Sequence, residues 1–100
     1  MPIRILIADD HRIVRDGLRM MFESQDDMTV VGEACTGLES VVQAEALLPD
    51  VVIMDISMPE LNGIEATAIL KTRLPSIKVI ILSMHNTTDY ICRARYAGAK

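Results

Sequence analysis

The sequence predicts an α/β fold, a doubly wound parallel sheet with helices on both faces, and three observations carry that prediction. Apolar runs at Ile5 to Ala8, Val51 to Met54 and Val79 to Leu82 are unbroken, as in strands covered on both faces. Segments of helical periodicity separate them, the alternation that builds βαβ units with right-handed crossovers. Each run also ends on oxygen-bearing side chains: Asp9 and Asp10, then Asp55, then Ser83.

After the first run, Val14, Leu18, Met21 and Phe22 recur at the spacing of an amphipathic helix, entered through an acidic cap beside Asp10. Met28 to Ala34 reads as a strand, because Thr29, Val30 and Val31 favour a pleated surface, although Gly32 weakens its interior. A second helix is predicted over Leu38 to Leu48, with Leu38, Val41, Val42 and Ala46 facing inward and Glu45 close to that face; Pro49-Asp50 stops it before the second run. Ile56 to Gly63 contains Pro59, Asn62 and Gly63 and is a loop. A third helix follows from about Ile64 to Leu74, closed by Pro75, and leads into the strand Lys78 to Ser83. Thr87 or Thr88 caps a fourth helix that contains Tyr90, Ile91, Ala94 and Ala97 and ends at Gly98.

One hundred residues, half of them apolar, suffice for one core and one domain. The net charge of -4 and the scattering of the ten basic residues exclude a nucleic-acid surface in this segment, since phosphate backbones are held by clustered Lys and Arg. Cys35 and Cys92 fall outside any metal or redox spacing and read as reduced, buried residues. No segment approaches the roughly 20 apolar residues of a membrane span, and no secretory leader is visible, so the expected location is cytoplasmic. The seven methionines read as flexible core filler, with Met58-Pro59 set apart because a Pro after the second run stiffens a loop whose carbonyls would meet a metal.

In open parallel sheets the ligand site lies beyond the carboxyl ends of the strands, where neighbouring crossovers diverge. Three carboxylates meeting there repel one another unless a cation is present, and Mg²⁺, held by one or two carboxylates with waters and phosphate oxygens, answers that need. A carboxylate beside such an ion can attack a phosphoryl group. Any of the three is chemically able to do so. Asp9 and Asp10, adjacent in sequence, suit joint metal holding, which favours Asp55 as the nucleophile. An isolated Asp after a strand more often just caps the next helix, and Ser83 alone is weak evidence; their convergence at one edge is what matters. His11 and His85 lie near the same edge, and the simpler reading is that they pack or cap at loop starts.

Ile5-Leu6-Ile7-Ala8-Asp9-Asp10-His11, Val14-Arg15-Asp16-Gly17-Leu18, Met54-Asp55-Ile56-Ser57-Met58-Pro59 with Asn62-Gly63, Leu82-Ser83 and Ala97-Gly98-Ala99, in that order, resemble bacterial response-regulator receiver domains. The Asp-Asp-His and Val-Arg-x-Gly-Leu stretches are most similar to the NarL/FixJ branch, whose full-length members are transcriptional regulators with a LuxR-type helix-turn-helix. The resemblance implies a flavodoxin-like sheet of order 2-1-3-4. It also implies that Asp55 accepts phosphate from a sensor histidine kinase, and that Asp9 and Asp10 hold Mg²⁺ with help from Asp55 and the backbone carbonyl of Ser57. Ser83 would bond a phosphoryl oxygen and shift on phosphorylation, acting on a two-state element. Such a domain is a signalling module that assists its own phosphotransfer, not an enzyme.

Receivers usually carry a fifth strand bearing a Lys, an aromatic switch residue and a fifth helix, and residues 1–100 lack all three. Lys100 follows Ala97-Gly98-Ala99 directly and Tyr96 belongs to the fourth helix, so neither takes those roles. The expectation is a receiver spanning 1–100 and incomplete at its C-terminus, with weak phosphotransfer, and reaching DNA only through a helix-turn-helix domain outside this segment. The edge Val79 to Leu82 would then invite homodimerisation or strand exchange. Two rivals compete with this reading. A Mg²⁺-dependent aspartyl phosphatase of the haloacid dehalogenase type needs a second Asp two residues after the nucleophile, where Ser57 stands. An interaction module that is never phosphorylated would be expected to lack one of the three carboxylates, and all are present.

Overall fold

The computed structural model describes residues 2–56, 58 and 61–82. They form β1 (Ile3–Ala8), α1 (Arg12–Glu23), β2 (Met28–Ala34), α2 (Gly37–Leu47), β3 (Val51–Asp55), α3 (Gly63–Arg73) and β4 (Lys78–Leu82). The expected fourth helix, together with Ser57, Ser83, His85, Cys92, Tyr96 and Lys100, lies outside the described residues.

The strands pair in the order β2-β1-β3-β4, all parallel, as the resemblance implied. The register slips between Ile5 and Leu6, so that Leu6 sits opposite Gly32 and Val31 is passed over; the glycine marks a bulge. Asp50 fixes the start of the sheet. Its carboxylate accepts from the Arg4 amide at 2.8 Å, its own amide donates to the Arg4 carbonyl at 2.8 Å, and its carbonyl accepts from the Lys78 amide at 3.1 Å.

The unbroken apolar runs are explained by two cores on opposite faces of one sheet. Alternate residues Leu6, Ala8, Val52, Met54 and Val79 pack with Val41 and Ala44 of α2 and Ala66 and Leu70 of α3. The intervening Ile5, Ile7 and Ile53 join Val30 and the partly buried Leu18 and Phe22 of α1 on the other face. Each fully buried side chain of this size contributes about 1.5–3 kcal/mol. α1 therefore covers one face, and α2 and α3 the other.

Four expectations need correction. β4 is covered chiefly on the α2/α3 side, where Val79 is buried and Ile81 partly buried, whereas Ile80 and Leu82 are 39% and 41% exposed. The face of α2 that packs inward is Gly37, Ser40, Val41 and Ala44, while Leu38, Val42 and Ala46 lie outward. Small residues allow the helix backbone close to its neighbours: a Cβ at Gly37 would overlap the Leu61 carbonyl. Cys35 is exposed, not buried, because it stands in the turn after β2. Met54 and Met58 do fill the core, but Met20 and Met21 face outward on α1, which has no fully buried residue.

Candidate phosphoacceptor and metal site

β1 and β3 are neighbours, yet the chain leaves β1 for α1 on one face and leaves β3 for α3 on the other. The carboxyl ends of these two strands therefore flank the crevice where an α/β sheet binds its ligands. Asp9 follows β1 and Asp55 closes β3; both are 6% exposed.

The structure brings Asp9, Asp10, His11 and Asp55 together, each offering one ligand atom, with all four atoms within 4.8 Å of one another. Carboxylates at this separation repel by roughly 3 kcal/mol per pair at an effective dielectric near 20, so a hard divalent cation would relieve the cluster. The donor set of three carboxylates fits Mg²⁺. Ser57 and Ser83 lie outside the described residues.

Asp9 is held at several atoms. Its amide donates to the Ala34 carbonyl at the end of β2 at 3.0 Å, and its carbonyl accepts from Arg15 Nη1 at 2.7 Å. Its Oδ1 accepts from the His11 amide at 2.8 Å and lies 2.9 Å from His11 Nδ1. His11 Nδ1 also lies 3.0 Å from Asp10 Oδ1. The bond to Asp9, then the charges of Asp10 and Asp9, raise the imidazole pKa above its ordinary 6.5. His11 is the N-cap residue of α1, but its side chain makes no cap bond, and neither aspartate supplies the acidic cap the sequence led us to expect. The imidazole belongs to the carboxylate cluster instead.

The start of α3 is fixed by local bonds. Asn62 caps α3, accepting from the Glu65 amide at 2.9 Å while Glu65 Oε1 accepts from the Asn62 amide at 3.4 Å. The Gly63 amide donates to the Ile56 carbonyl at 2.8 Å, which draws the start of α3 against the end of β3.

Sequence reasoning placed Arg15 in a family-like stretch without giving it a partner, and it passed over Glu33. Arg15 Nε donates to Glu33 Oε1 at 3.0 Å, and Arg19 Nε donates to Glu33 Oε2 at 2.8 Å. Partial burial pushes the Glu33 pKa up, but the hydrogen bonds from Arg19 and Arg15 and their charges outweigh it and hold the carboxyl below the usual 4.5. The available signal was a charge near the end of an otherwise apolar strand, which needs a partner.

The chain matches the response regulator receiver domain over residues 5–100. It belongs to that family. This receiver is 46% identical over 98 residues to the uncharacterized transcriptional regulatory protein YhcZ of Bacillus subtilis, covering 98% of this chain and 46% of that protein. A LuxR-family two-component response regulator from Aurantimonas sp. SI85-9A1 superposes with a TM-score of 0.93 at 34% identity, over 99% of this chain and 71% of that one. The isolated receiver domain of RcsB from Salmonella enterica serovar Typhimurium, solved in the presence of the phosphomimetic BeF3-, gives 0.90 at 29% identity, over 99% and 74%. The receiver spans about half the length of the transcriptional regulators it matches. Among its described residues, no helix is long and apolar enough to cross a membrane.

Proposed function

We propose that this receiver takes a phosphoryl group on Asp55 from a sensor histidine kinase, in a cytoplasmic transcriptional regulator that reaches DNA through a separate helix-turn-helix domain. The observation that carries this reading is the convergence of Asp9, Asp10 and Asp55 at the ends of two adjacent strands. Asp9, Asp10, Asp55 and the Ser57 carbonyl would hold Mg²⁺, which when bound neutralises charge developing on the phosphoryl oxygens. An Asp55 carboxylate oxygen attacks phosphorus, the bond to the phosphohistidine nitrogen breaks with its electron pair left on that nitrogen, and the ring leaves as neutral imidazole because its other nitrogen carries a proton. Ser83 would donate to a phosphoryl oxygen. The low exposure of Asp55 limits attack to donors that reach into the crevice. The three-carboxylate set and the kinship with a receiver solved with a phosphomimetic support the assignment.

Incubation with acetyl phosphate and Mg²⁺, read by intact mass, tests it. One phosphoryl group should add to the wild type and none to Asp55→Asn, and chelation should suppress labelling. Undiminished labelling of Asp55→Asn would overturn the assignment.

A further inference from the structure

Asp9 is gripped from both sides of its own backbone by the end of β2. Ala34 takes its amide directly, and Glu33 takes its carbonyl indirectly, through Arg15. The Arg15 side chain is 17% exposed, and its guanidinium spans two acceptors with separate nitrogens, Nη1 to the Asp9 carbonyl and Nε to Glu33. Glu33 is in turn held on its other oxygen by Arg19, with Nη2 at 2.6 Å. The relay Arg19, Glu33, Arg15, Asp9 thus ties two successive turns of α1 and the tip of β2 to the first residue of the acidic pair.

We infer that Arg15, braced by Glu33, is the positioning residue that presets the Asp9–Asp10 turn for a divalent cation. The inference rests on the proposed metal role of that pair. A planar guanidinium suits the task because its donors are fixed relative to one another, so orienting it on Glu33 also orients the nitrogen that meets the Asp9 carbonyl. Glu33 additionally offsets the charge of Arg15, which would otherwise be drawn toward the neighbouring carboxylates in place of the metal. Groups that orient metal ligands without touching the ion commonly control affinity about ten-fold or more.

Binding of Mn²⁺, an oxygen-seeking substitute for Mg²⁺, to the full chain, read by electron paramagnetic resonance, is the test. Arg15→Gln and Glu33→Gln should each weaken binding by about ten-fold. The double variant should bind no more weakly than the worse single one, since both break the same relay. Arg15→Lys keeps the charge without the two-pronged geometry and should recover only part of the loss. Arg73→Gln, which removes an exposed ion pair with Glu45, should bind as the wild type does. Urea midpoints identify folded variants, on which a merely stabilising role would leave affinity unmoved. Wild-type affinity in folded Arg15→Gln overturns the inference, as does full recovery in Arg15→Lys; if Arg15→Gln does not fold, wild-type affinity in Glu33→Gln does so. A wild type that binds no Mn²⁺ instead removes the metal reading on which the inference stands.

Discussion

The first residue of α3, Gly63, lies so close to Asp55 that a Cβ there would overlap the Asp55 carbonyl oxygen. The residue proposed to receive phosphate is thus locked between its strand and the start of the next helix. Gly63→Ala should displace one of the two, costing about 2 kcal/mol or more and lowering the melting temperature by roughly 8 °C or more. Gly17 in mid-α1 has open space around it, and Gly17→Ala should raise stability by up to about 1 kcal/mol. Thermal denaturation of both variants checks the contrast.

Cation binding should stabilise the fold. At a Mg²⁺ concentration ten times the dissociation constant, the unfolding free energy should rise by about 1.4 kcal/mol if the ion binds only the folded chain. Chelation should reverse the gain, and Asp10→Asn should abolish most of it. Urea titrations with and without Mg²⁺ measure this.

The Glu33 cluster should govern part of the acid response. Its carboxyl pKa is lowered on folding, so its stabilisation is complete above the unfolded value of 4.5 and is lost as pH falls through the lower folded value. Wild type should exceed Glu33→Gln by about 1 kcal/mol at neutral pH. The difference should shrink below pH 4.5 and vanish in stronger acid, as read by urea midpoints across pH.

The reciprocal bonds of Asn62 and Glu65 close the amino end of α3. Asn62→Ala should cost about 1 kcal/mol, a fall of roughly 4–8 °C in melting temperature for a domain of this size.

Much of this architecture was legible in the residue order. β2 has the bounds its β-branched residues predict, and α2 and α3 are each offset by one residue from the predicted spans. The acidic trio could be placed because position at a strand end follows from the pattern of apolar runs alone. The inward face of α2 could not, because Leu38 and Val42 carry the hydropathy while Ser40 and Ala44 supply the close approach. The pairing of Arg15 with Glu33 was equally hidden. The two are eighteen residues apart, and only the pairing of β1 with β2 under α1 brings them together.

The two cores share one spine. β1 and β3 send alternate side chains into both, so neither layer of helices can detach without stripping one side of the same two strands. Hydrogen exchange of the β1 and β3 amides should therefore proceed through opening of the whole domain. Asp9 and Asp55 stand at the tips of that spine, so the spacing between them is as durable as the domain itself. Any movement that carries a signal away from this crevice has to run through the loops and helices around a frame that does not open.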